Sequence, residues 1–400
     1  MIHHYFLAFF PALIFGPSAV QHFRFEDNIF GTPFTLAFAG TFAVASFFVL
    51  SGFVLTIGFF QTKNIYIIKK LAAKRYLRLM IPALATTLIC YLLIKLGAPN
   101  LLKEVTEITQ SQWLSWQLNF DANIFDAIYS GTIGVFIEGS SRYNNVLWTM
   151  LTEFLGSFLV FAFVLLFGAS RHRWIAYVMA IFLTFNSWFL PFIIGMAIAD
   201  LYTAGYFDKL KRTAWWTYSL VPVALILGAF PLFDAQATGY GFIDKLLEGT
   251  GINGQMLLLT IGAAMLILAV ITNSNLSKLL EMPRISILGK YTFALYLVHI
   301  PVMYSVVFLA FISLYPLLGY NLAVLATFVV SIPVLWIVTI LFEKYIDAPA
   351  VRLASSAARM FEKDESLEIK KHVGNILSIL SKLQIIFLRP QAVIEKPSSE

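Results

Sequence analysis

The chain has 400 residues, of which 59% are hydrophobic, 16% aromatic and only 12% charged. A soluble domain carries about 25% charged residues, so this composition excludes an ordinary globular protein and points to a membrane chain. The formal charge of +6 lies mostly in connections between apolar runs, so it reads as a membrane-topology signal and not as nucleic-acid binding.

A helix needs roughly 20 mainly apolar residues to cross the hydrocarbon core. Apolar stretches predict spans near 2–19, 36–60, 79–97, 147–168, 174–186, 188–203, 214–233, 255–273, 291–313 and 320–342. The first begins at Met1 with no flanking segment. The fifth and sixth form a hairpin about Asn186 and Ser187, each short for a span. Such segments are tolerated where protein, not lipid, surrounds them. The expected fold class is all-α: a polytopic transmembrane helix bundle of about ten spans. A membrane domain over 1–352 is followed by a polar tail, 353–400, in which Ile376–Leu380 and Ile385–Phe387 suit a surface helix.

Basic residues fall on alternate connections. Lys63, Lys69, Lys70, Lys74, Arg75 and Arg78 occupy 61–78. Arg171 and Arg173, then Lys209, Lys211 and Arg212, then Lys278, Arg284 and Lys290 follow on the same side. The opposite connections hold only Arg24, Lys103, Arg142 and Lys245, among many acidic residues. The positive-inside rule then places the basic side and both termini in the cytoplasm. The sole cysteine, Cys90, lies within a span, which excludes an intramolecular disulfide and a cysteine metal site. No metal is expected. The first apolar stretch lacks the basic start and small-residue cleavage site of a signal peptide. Residues 98–147 read as one long outward loop, rich in rings: Trp113, Trp116, Phe120, Phe125, Tyr129, Phe136 and Tyr143. Two readings stand for them: a headgroup belt, or a lid whose rings stack on sugar faces.

Ionisable groups inside spans are costly and mark function by default. His3 and His4 open the first span, Glu153 starts the fourth, His299 lies in the ninth, and Glu343 and Asp347 end the tenth. Arg75 and Arg78, three apart just before the third span, share one helix face. Plainer readings stand beside these. His299 suits a bond to a carbonyl, the arginines suit snorkelling anchors, and Glu153 suits a paired structural charge.

Several segments together resemble one family. SFFVLSGFVL at Ser46–Leu55, KRYLRLMIP at Lys74–Pro82, LWTMLTE at Leu147–Glu153, LGKYTFALYLVH at Leu288–His299 and YIDAP at Tyr345–Pro349 are similar, in order, to motifs of the integral-membrane acyltransferase family 3. Asp347 stands where that family has Glu. The resemblance implies transfer of an acyl group, commonly acetyl from acetyl-CoA, to a hydroxyl of a cell-envelope or exported carbohydrate or lipid-linked glycan. It implies a multi-pass protein of the bacterial inner membrane, with acyl-CoA, glycan and bilayer as partners and no nucleic acid. The family's first span carries an Arg and, eleven positions later, a His. His4, or His3 beside it, matches that His. The Arg would fall before Met1, so it is lacking here, through a late start codon or a truncation that would leave an inactive member.

Acyl transfer from a thioester needs a base for the attacking hydroxyl, stabilisation of the oxyanion and a hold on the CoA phosphates. A neutral imidazole suits the first, so His4 is expected as general base or transient acyl carrier. Glu153 is expected to orient a sugar hydroxyl or pair with a catalytic cation. Guanidinium forks match phosphate oxygens, so Arg75 and Arg78 are expected to hold CoA. Ser51 and Gly52 interrupt the second span, either to pass pantetheine or to pack helices through small residues. Trp148 and His299 are expected to bind substrate. The rival reading is a secondary transporter or exporter, against which no matched pair of broken spans is found.

Overall fold

Prolines and glycines decide where the apolar runs become separate helices. In the computed structural model, which describes residues 1–208 and 215–360, the first run is two half-helices, α1 (Ile2–Phe9) and α2 (Pro11–Phe15). The residue before a proline is pushed out of the helical region, and Phe10 sits at φ −135°. Pro11, which has no N–H to lose, then starts α2, and Gly16 at φ 87° ends it. Tyr5, Leu7, Ala8, Phe9 and every residue of α2 are buried. On the connection that follows, the buried Glu26 carboxylate accepts from the His22 and Phe23 N–H groups at 3.0 and 2.8 Å. Burial pushes that carboxyl above its ordinary range.

The second and third runs are α3 (Gly40–Thr62) and α4 (Ile65–Lys95). Between them the expected basic connection shrinks to Lys63 and Asn64. Asn64 accepts from the Tyr66 N–H and caps α4, and the Lys, Ala, Leu and Arg residues that follow are good helix formers. Arg75 is therefore ten residues into α4, about 15 Å from its start, and does not lie in an interfacial loop.

Residues 98–147 correct the loop expectation. They hold α5 (Ala98–Thr109), α6 (Ile124–Tyr129), a π-helical turn at Ser130–Gly134 and a last short turn at Val135–Ile137. Gly131 packs so closely on α4 that a Cβ there would lie 2.9 Å from the Leu84 Cα. The charged residues Asp121 and Glu138 at its borders and Asp126 within it hid this apolar stretch in the sequence. Its rings divide: Trp113, Phe136 and Tyr143 are buried, while Trp116 and Phe125 are exposed.

The longer helices that follow are α7 (Trp148–Phe167), α8 (Arg173–Thr184), α9 (Leu190–Thr203), α10 (Trp215–Gly228), α11 (Gly254–Thr272), α12 (Pro283–Val302) and α13 (Phe308–Phe342). α13 is broken at Gly319, whose φ of 68° and ψ of 175° no helix contains. The expected hairpin is α8–α9. Arg173 closes its open end with two bonds to Asp200 of 2.5 and 2.8 Å. Asn186 fixes its turn by donating to the Gly251 carbonyl at 2.6 Å. Among the described residues five helices, α3, α4, α7, α11 and the long α12–α13 run, are long and apolar enough to cross a membrane, and four shorter apolar helices accompany them. No strand occurs among the described residues. The basic residues at 209–212 and the tail segments at 376–387 lie outside the described residues.

Among the described residues, beside a small buried apolar core of Cys90, Ala122, Ala127 and Tyr143, two large ones result. One gathers α1, α2, α4, α5, α12 and α13; the other gathers α3, α8, α9 and α11. α7 contributes to both, through Met150 on one side and Val160 and Phe161 on the other. α3 and α9 touch backbone to backbone. A Cβ on Gly52 would lie 2.1 Å from the Phe192 carbonyl oxygen, and one on Gly195 would lie 1.9 Å from that of Val49. Gly52→Ala or Gly195→Ala is expected to force these helices apart and cost at least the roughly 1–3 kcal/mol of an overpacked core. Thermal unfolding in detergent checks this; an unchanged midpoint for both variants would refute the contact.

Candidate active site

Three polar clusters lie within the helix bundle. The first is a pair of imidazoles. α1 carries His4 inward and α12 carries His299 to it, with His299 Nε2 and His4 Nδ1 3.0 Å apart. The Trp113 ring lies 5.2 Å from that of His4, and Asn145 reaches His4 with its side chain. His299 is buried, whereas His4 keeps partial access. His3, one residue earlier, faces elsewhere. Its Nδ1 donates to the Phe38 carbonyl at 2.8 Å, and its ring rests on Gly40, where a Cβ would come within 2.6 Å of it. There His3 forms one wall of a small, largely apolar cavity with Leu13, Phe30, Thr35, Phe38 and Phe230.

Pro301 explains how α12 is held at this level. A proline inside a helix has no N–H for the carbonyl four residues back, here Leu297. Thr86 Oγ1 at 3.0 Å and Asn144 Nδ2 at 2.9 Å donate to that carbonyl instead, and Asn144 Nδ2 also bonds Thr86 Oγ1 at 2.8 Å. Both residues are fully buried. They join α4, α12 and the segment leading into α7 next to the imidazole pair.

The second cluster is Ser51, Glu153 and Arg75. The Arg75 guanidinium is ion-paired with Glu153 Oε1, and Ser51 Oγ donates to both carboxylate oxygens at 3.1 and 3.2 Å. Glu153 is thus a paired charge. Arg75 Nε remains buried without a partner among the described residues, so one edge of the guanidinium suits a further acceptor. The third cluster is Arg78, ion-paired with Asp347 and lying over the Phe293 ring at 4.9 Å. Lys290 Nζ lies 3.3 Å from Glu343 beside it.

α12 contributes to two of the clusters: Phe293 lies under Arg78, and His299 meets His4. Residues three apart in a helix share a face, so Tyr296 keeps to the side of His299, its ring centroid 6.1 Å from that of the imidazole. Its hydroxyl donates to the Val146 carbonyl at 2.6 Å and lies 2.7 Å from Thr149 Oγ1. Thr149 is one helical turn from Glu153 on α7.

The structure thus brings together His4 with His299, Ser51 with Glu153 and Arg75, and Arg78 with Asp347. Gly52 turns its bare face to α9, and the Trp148 ring lies against Trp188 at 5.8 Å. Thr86, Asn144, Asn145, Thr149 and Tyr296 escaped the sequence reading. The signal that points to Thr86 and Asn144 is Pro301, which must orphan a carbonyl within a turn of His299. No group of three His, Cys, Asp or Glu side chains among the described residues is placed to hold a metal ion.

A family model described as an acyltransferase domain matches residues 1–340. No curated protein and no solved structure matches the chain.

Proposed function

The chain belongs to acyltransferase family 3, and we propose that it takes an acyl group, acetyl in the first instance, from acyl-CoA and gives it to a hydroxyl of a cell-envelope or exported carbohydrate. The observation that carries this reading is the partly accessible imidazole of His4 inside the bundle, backed by His299, in a chain that also holds two ion-paired arginines, Arg75 and Arg78, within its helices. In this reading the protein sits in a bacterial inner membrane with its basic side in the cytoplasm, where acyl-CoA is at hand.

The acceptor O–H gives its proton to His4 Nε2 as the oxygen attacks the thioester carbonyl carbon. The tetrahedral oxyanion collapses, the C–S bond breaks, and the thiolate takes the proton from His4 to leave as CoA thiol. Arg78 and the unused edge of Arg75 hold the CoA phosphates. Glu153 acts on the donor side, holding Arg75 in place.

Supplying membrane vesicles with radiolabelled acetyl-CoA tests the reading. Label is expected in envelope carbohydrate; label that stays soluble, with uptake of a solute instead, would replace the enzyme with a transporter. Arg78→Ala is expected to raise the KM for acetyl-CoA by about 10-fold or more, the scale of a lost charge-assisted hydrogen bond. Asp347→Asn, which leaves Arg78 in place, is the control and is expected not to raise it. An unchanged KM in Arg78→Ala ends the phosphate role.

A further inference from the structure

We propose that His299 is a positioning residue that holds His4 in the one neutral tautomer able to act as a base. The inference rests on the acyltransferase reading and adds to it a source for the base's proton arrangement.

A carbonyl oxygen only accepts hydrogen bonds. His299 Nδ1 lies 3.2 Å from the Leu295 carbonyl oxygen, so that nitrogen carries the proton. A neutral imidazole has one N–H and one lone pair, so His299 Nε2 is an acceptor. It stands 3.0 Å from His4 Nδ1, which must donate to it. His4 therefore holds its proton on Nδ1 and its lone pair on Nε2. Two directed bonds, beginning at a backbone carbonyl that cannot change its role, set the direction of the whole chain.

The same bonds remove His299 from direct chemistry. Both of its nitrogens are engaged, and the residue is 2% exposed, so it has no atom left with which to bind a sugar or take its proton. Its place is rigid. The next turn is tied by Thr86 and Asn144 at the Leu297 carbonyl, which Pro301 leaves without its helical partner. When His4 accepts the acceptor's proton on Nε2, its Nδ1–H keeps the bond to His299, so the imidazolium forms without any reorientation of either ring. In the opposite tautomer, with a proton on His4 Nε2, the lone pairs of His4 Nδ1 and His299 Nε2 would face each other and no base would face the acceptor.

The experiment compares wild type, His299→Leu and His299→Gln as purified full-length proteins in detergent, with acetyl-CoA as donor and the labelled carbohydrate fraction as readout. Leucine removes the acceptor, while glutamine can offer Oε1 to His4 Nδ1–H. Loss of tautomer control over a catalytic imidazole costs up to about 10⁴-fold in kcat. For His299→Leu the expectation is a kcat at least about 10-fold lower, with the KM for acetyl-CoA unchanged. For His299→Gln most of that loss is recovered. Wild-type kcat in His299→Leu overturns the inference, as does a His299→Gln protein no more active than His299→Leu. Thermal unfolding identifies a variant that has lost its fold. Should His299→Leu be such a variant, the inference stands or falls on whether folded His299→Gln keeps kcat near the wild-type value. A wild type that transfers no acyl group at all overturns the acyltransferase reading itself, an outcome distinct from every variant result.

Discussion

Replacing His4 by alanine is expected to leave a folded protein whose acyl transfer is slower by about 10²–10⁴-fold, the usual contribution of a positioned general base. Alanine suits a helix interior better than histidine, so α1 itself is not weakened. What is lost is the lone pair on Nε2 and the donor to His299. Rates measured with purified protein and labelled acetyl-CoA, beside unfolding temperatures, separate chemistry from fold. His3→Ala supplies the contrast. His3 spends its Nδ1–H on the Phe38 carbonyl and lies against Gly40, so its loss loosens the start of α3 and lowers the rate less. A His4→Ala protein that works at the wild-type rate would end the assignment of His4 as base.

Glu153→Ala carries the largest expected effect on stability. It strands the Arg75 guanidinium among α3, α4 and α7. Removing one partner of a buried ion pair costs about 3–5 kcal/mol, because the remaining charge is left without compensation. Arg75→Ala strands the carboxylate in the same way, although Ser51 still donates to it. Arg75→Ala with Glu153→Ala removes both charges, so the double variant is expected to be more stable than either single one, while acetyl-CoA binding stays impaired for want of Arg75. A double-mutant cycle on thermal unfolding in detergent measures this. If the two single losses simply add, the charges do not stabilise one another and the pairing has no energetic role.

How far these sites were legible in the sequence depends on the kind of residue. The apolar runs announced the helices directly, because a bilayer accepts little else. Glu153, His299 and Asp347 stood out singly because charge in an apolar run is expensive, and Arg75 stood out by sharing a helix face with Arg78. Their pairing did not, since Arg75 and Glu153 are 78 residues apart and Arg78 and Asp347 are 269 apart. No local spacing encodes such contacts. Thr86, Asn144 and Thr149 were hidden for the opposite reason: neutral hydroxyls and amides are common in membrane helices and betray nothing until their partners are known. The helical segment from Ile124 to Ile137 was concealed by its charged borders. It is too short to read as a span and becomes visible only through its backbone contact with α4 at Gly131.

The sealed half-helices at the amino end have a bearing on how the protein is made. α1 is about 12 Å long, far short of the hydrocarbon thickness, and its anchors are supplied by residues synthesised long after it. Tyr5 bonds the Val324 carbonyl across 319 residues, Tyr320 bonds the Phe9 carbonyl across 311, and His4 meets His299 across 295. Contacts so distant in sequence are slow to form. That segment, α1, is accordingly among the last to reach its berth, and the imidazole pair cannot form until α12 has been threaded into the membrane.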